Sequence, residues 1–65
     1  MSDFKTRLIQ ERDELQEKID KLRVFLSSDK ADILSDMEKT LMYCQFTAMV
    51  HYEAQLAQRI KLHNL

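Results

Sequence analysis

The chain has 65 residues, a formal net charge of −1, charged side chains at 32% of its positions, one cysteine, and neither glycine nor proline. A chain this short is one domain at most, and it buries only about 60% of the surface that its unfolded form exposes. Cys44 has no partner for an internal disulfide, the near-neutral charge argues against a general nucleic-acid binder, and nothing in the composition breaks a long helix.

The opening stretch, "MSDFKTRLIQERDEL", carries no long apolar run. It predicts no signal peptide and no membrane span, and with the single free thiol it suits a soluble protein of the cytoplasm. The first predicted helix covers residues 3–26, with Ser2 or Asp3 as its cap. Leu8, Leu15, Ile19, Leu22 and Leu26 fall on one heptad seam, and Arg12 takes an a-type position among them. Phe4, Ile9 and Phe25 widen that stripe. Glu14–Lys18 and Glu17–Lys21 have the favourable i,i+4 order of a solvated helix face.

"SSDKADILSD" interrupts the pattern, because Ser and Asp compete for local backbone hydrogen bonds. Residues 27–35 are therefore a hinge. Ile33 and Leu34 are expected to fold down over the end of the core. Ser35-Asp36-Met37-Glu38 reads as a capping box that starts a second helix, residues 36–62. Two helices of similar length and a short link give an all-α antiparallel hairpin, residues 1–65 forming a single domain.

The second helix is apolar most of the way round. At about 100° per residue, Leu41, Met42, Ala48, Met49, Leu56 and Ile60 collect on a face that suits the first helix. A second group, Tyr43, Phe46, Val50, Ala54 and Ala57, points elsewhere. A lone hairpin leaves that group in water, and exposed apolar patches mark interaction sites. The expectation is a homo-oligomeric helical bundle whose interface is this second group, with a dimer as the simplest closed form.

Gln45, Tyr52 and Arg59 recur every seven residues and are expected along the middle of the core-facing stripe. A hairpin closed near Ser28 puts Gln45 beside Lys18, Tyr52 beside Glu11 or Arg12, and Arg59 beside Lys5 or Phe4. Polar groups there either fix the register between helices, as single polar a-positions do, or line a cleft between protomers. In the second reading Arg59 offers a fork for phosphate, Tyr52 a stacking ring and Gln45 two-way hydrogen bonding, with Arg7, Glu11 and Lys18 completing the cleft. Cys44 and His51 lie about 10 Å apart along one helix, too far to share a metal ion, so no metal site is expected. Cys44 reads as a small packing residue. No nucleophile–base–orienter set and no glycine-rich phosphate loop can be assembled, so no enzyme and no cofactor are expected.

"FKTRLIQERDELQEKIDKLRVFLSS" followed by "LMYCQFTAMVHYEAQLAQRI" resembles a family of short phage- and prophage-encoded helical proteins related to a crAssphage small protein. Arg7, Glu11, Leu15, Lys18, Leu22 and Phe25 carry the likeness in the first helix. Gln45, Met49, Tyr52, Leu56 and Arg59 carry it in the second. The resemblance implies a phage origin and action in the host cytosol. Small phage oligomers of this class often act against host defence, some by sequestering cyclic nucleotide immune signals. Self-association and a small anionic nucleotide are thus the expected partners, without nucleic acid or membrane. A module that docks on a host protein and a purely structural coiled-coil oligomer are the competing readings.

Overall fold

The computed structural model describes residues 3–63. Helix α1 runs Asp3–Leu26, a 3-10 turn spans Asp29–Ile33, and helix α2 runs Asp36–Leu62. The two helices pack side by side as an antiparallel hairpin. The backbone measures 47 × 15 × 14 Å, a two-helix rod.

Each helix starts and stops for local reasons. Ser2 lies outside the described residues, and Asp3 is already in the first turn of α1, where its charge favours the helix N-terminus. At the other end the Ser28 hydroxyl donates to the Phe25 carbonyl at 2.7 Å, and the backbone turns extended at Ser28. φ is negative at Ser28, Leu34 and Ser35, so none of these three positions calls for glycine. At α2 the Ser35 hydroxyl accepts from the Glu38 amide at 3.1 Å, the first half of the predicted capping box. Among the described residues Glu38 does not return the bond.

The core is a narrow seam. Leu8, Leu15 and Ile19 of α1 and Leu56 of α2 form its buried cluster, and Phe46, Met49 and Ile60 pack against them half-buried. Leu22 and Leu26 continue the seam, also half-buried. Arg12 occupies its a-type position by lying across the edge, with Nε 3.4 Å from Glu53 Oε1 on α2. At the open end Phe4 and His63 meet edge to face, their centroids 5.2 Å apart.

Two expectations about this core are corrected. The face of α2 toward α1 is centred on Met42, Met49, Leu56 and Ile60, while Leu41 is 59% exposed and Ala48 is exposed. The helix is rotated so that Phe46 and Glu53 enter the contact instead. At the hinge, Ala31 is the buried residue and Ile33 stands 87% exposed. With three residues per turn, Ala31 and Leu34 share one side of the 3-10 turn, and Ile33 is forced outward.

Stability should follow this seam. Leu56→Ala removes the one fully covered side chain of α2, a loss of about 2–5 kcal/mol, enough to abolish cooperative melting in so small a domain. Ser35→Ala should cost about 1 kcal/mol by loss of the cap. Val24→Ala, at an exposed position, should leave the melting curve within about 0.5 kcal/mol of the parent. Circular dichroism melts of the three variants read all of this.

Candidate functional site

A hairpin of two helices has two flanks, one on each side of the seam, and the phase of each residue decides its flank. On α1, Arg7, Glu11 and Lys18 stand roughly 40–80° to one side of Leu15. On α2, Gln45, Tyr52 and Arg59 stand roughly 20–60° to one side of Leu56. Both helices are right-handed and they run in opposite directions, so these rotations bring all six residues to the same flank. The packing agrees: Arg59 closes a cleft with Phe4, Arg7, Leu8 and Glu11.

The six are all exposed, with Tyr52 at 47%. The polar ladder therefore borders the seam and does not run along its middle. Gln45, Tyr52 and Arg59 bury no polar atom that needs a partner, because the rotation of α2 that brings Phe46 inward carries them outward. The register also differs from that of a hairpin closed at Ser28. The pairs Phe4–His63 and Arg12–Glu53 put Tyr52 level with positions 13–15, past Glu11. Gln45 falls beyond Lys18. Arg59 does reach Phe4, and it gains Arg7 and Glu11 as neighbours. The 3-10 turn slides α2 along α1 by between half a turn and one turn.

Along this flank the order is a cationic end at Arg7 and Arg59, then Glu11, the Tyr52 ring, Lys18 and Gln45. From Arg7 to Lys18 is about 16 Å along the axis. The cations of this flank share one trait with Lys5, Lys30, Lys39 and Lys61, the lack of an ion pair among the described residues. Arg12 pairs with Asp13 and Glu53, Lys21 with Glu17, and Arg23 with Asp20. Arg7, Lys18 and Arg59 form no ion pair among the described residues, and Arg7 only donates from Nε to the Asp3 carbonyl at 3.4 Å. Three cations without an ion pair, set around one aromatic ring and one carboxylate, have the chemistry that can hold a phosphate. The cleft at Arg7 and Arg59 is open and holds about 250 Å³. That is room for a phosphate group and its sugar, short of the roughly 300–1,000 Å³ that encloses a whole ligand. Phe4, which sequence reasoning placed only at the stripe edge, lines this cleft. Its spacing of three and four from Arg7 and Leu8 was the available signal.

The other flank carries Ile9, Arg12 and Arg23 of α1 with Tyr43 and Val50 of α2. Arg23 lies over the Phe46 ring, 5.7 Å from its centroid. Phe46 and Ala57 are half-buried inside the hairpin, so only Tyr43, Val50 and Ala54 of the second apolar group are openly exposed. The group thus does not point away as a whole, and it sits across the molecule from the six polar residues. Cys44 is exposed rather than packed. Among the described residues no three ligating side chains gather as a metal site. No helix among them is long and apolar enough to cross a membrane.

A family model described as Sequestin matches residues 2–62, nearly the whole chain. No curated protein and no solved structure matches it.

An exposed, unpaired arginine supports no register. Arg59→Ala should therefore leave helix content and the melting midpoint unchanged to within about 0.5 kcal/mol. A loss of several times that size, read by circular dichroism, would make Arg59 a structural residue.

Proposed function

The chain belongs to the Sequestin family, and from that premise we propose that it is a non-enzymatic protein that sequesters a small anionic nucleotide, held on the flank of Arg7, Glu11, Lys18, Gln45, Tyr52 and Arg59. The family's name describes a sequestering protein, and what carries the reading to a nucleotide is one observation. Two unpaired arginines, Arg7 and Arg59, line one open cleft, and Lys18 and the exposed Tyr52 stand on the same flank.

The division of labour follows from the chemistry. Arg59 and Arg7 take a phosphate in the open cleft, with the planar fork that suits two oxygens at once. Tyr52 lies one heptad from Arg59, about 10 Å along the axis, and offers its ring to a base and its hydroxyl to a ribose. Lys18 takes a second phosphate beyond the ring. Gln45 and Glu11 hydrogen-bond the sugar or base edges, with Glu11 rejecting ligands that carry negative charge at that point. A ligand with phosphate on both sides of a base, such as a cyclic nucleotide immune signal, fits this order of groups. Sequestration asks for affinity and slow release, and no bond needs to be made or broken. The resemblance to short phage proteins supports a role in a host cytosol, against a host defence that uses such a signal.

Self-association belongs to the same reading. A globular monomer of 7.8 kDa exposes about 4,400 Å² by size scaling, and this chain exposes 5192 Å². The excess, about 800 Å², is what one partner hides in a standard interface. The six-residue flank lies away from Tyr43 and Val50, so each chain carries its own ligand site rather than sharing one at that interface.

Calorimetry against a panel of cyclic di- and trinucleotides and cyclic ADP-ribose isomers tests the proposal. One member should bind with a stoichiometry of one per chain. Arg59→Ala and Tyr52→Ala should each weaken it at least 10-fold, and raising the salt should weaken it further. No binding by a folded protein across the panel disposes of the nucleotide reading. A pull-down that returns one stoichiometric host protein would favour a docking module in its place.

A further inference from the structure

Five residues of α2 hold an arrangement that a second copy of the same helix would match. Tyr43, Phe46, Val50, Ala54 and Ala57 run from large to small about Val50. Tyr43 and Ala57 are each seven residues from Val50, and Phe46 and Ala54 are each four. Turned end over end about Val50, the series meets itself with every large side chain opposite a small one. Such self-complementarity is what a two-fold interface requires.

The flank is shaped for this partner. Beside Ala57 lies a groove of about 330 Å³ between the helices, lined by Ile9, Arg12, Asp13, Ala57 and Ile60. Its position is about 10 Å from Val50 along the axis, and Tyr43 stands about 10 Å from Val50 the other way. Tyr43 is 53% exposed and Val50 38% exposed, so each leaves part of its side chain for a partner to cover.

We infer that two chains pair antiparallel through this flank, with Val50 on the two-fold axis and the Tyr43 ring of each chain filling the groove beside Ala57 of the partner subunit. The inference rests on the self-association proposed above and fixes its register. The surface excess of about 800 Å² per chain is the area such an interface needs. The aromatic ring fills the groove while its hydroxyl comes to the Arg12–Asp13 rim, so the phenol buries its ring and keeps a polar partner. On α1, the same rotation brings Asp13 to within a turn of Arg23 of the partner subunit, a pairing of opposite charge. The polar flank with Arg7, Lys18 and Arg59 stays outside on both chains. The dimer therefore presents two ligand sites, back to back.

A swap of large for small tests the register. Tyr43→Ala empties the groove, and Ala57→Tyr sets ring against ring. Each should weaken the dimer at least 10-fold by analytical ultracentrifugation. The double variant, Tyr43→Ala with Ala57→Tyr, restores one large and one small residue at each contact and should recover most of the affinity. A double variant at least as weak as the product of the two single effects overturns the proposed register. Val50→Cys in a Cys44→Ala background supplies a second measurement that does not depend on swapping large for small. Mild oxidation should cross-link it nearly completely, since the two thiols meet on the axis. A dimeric protein that fails to cross-link there overturns the register while leaving self-association standing. A wild-type mass equal to one chain at micromolar concentration removes both. Nucleotide binding is scored separately, so its failure with an intact, cross-linkable dimer sinks the ligand and not the interface.

Discussion

Leu56 is buried to 1% exposure in one seam with Leu8, Leu15 and Ile19, and everything else in the hairpin is arranged around that seam. Each helix has only one neighbour, so only a narrow stripe of each can be covered. The rod that results has a cross-section of 15 × 14 Å, and two flanks run its whole length uncovered. A third helix or a sheet would have hidden one flank. This chain spends its length on two long helices instead, which is why its exposed surface outgrows its mass.

The two flanks are chemically distinct because α2 carries two heptad series of different kinds. Gln45, Tyr52 and Arg59 form one, Tyr43, Val50 and Ala57 the other, and their phases differ by roughly 160°. One helix thus serves a polar surface and an apolar surface at once, with the seam between them. Helix α1 follows the same division. Arg7, Glu11 and Lys18 extend the polar flank, while Ile9 extends the apolar one and Arg12 bridges to Glu53 at its border. Arg12 and Arg23, beside the apolar flank, hold carboxylates, while Arg7, Lys18 and Arg59 on the polar flank form no ion pair among the described residues.

A binding role suits this construction better than a chemical one. Catalysis needs groups fixed to within a fraction of an ångström by a supporting shell of packed side chains. A two-helix rod has no depth in which to build such a shell, since its charged groups all stand at or near the surface. Holding a charged ligand is less demanding. Flexible cations around a ring gain affinity from several partial contacts, and the opposite flank, where we propose a second chain, lies clear of them.

The heptad seam Leu8, Leu15, Ile19, Leu22 and Leu26 and the Ser35 cap were legible in the sequence, and with them the all-helical hairpin. They depend on residue type and spacing along one helix, and local physics decides them. The sequence also marked Arg7, Glu11, Lys18, Gln45, Tyr52 and Arg59 as a related set, because heptad spacing keeps residues on one line of a helix whatever that helix packs against. What it left open was where that line would lie. The rotation of α2 that takes Phe46 inward and leaves Leu41 exposed, and the slide set by the 3-10 turn with Ala31 as its plug, come from packing two surfaces together. No single helix contains that information: an apolar arc wider than its partner can be seated at several angles, and only the fit of both side-chain surfaces selects one.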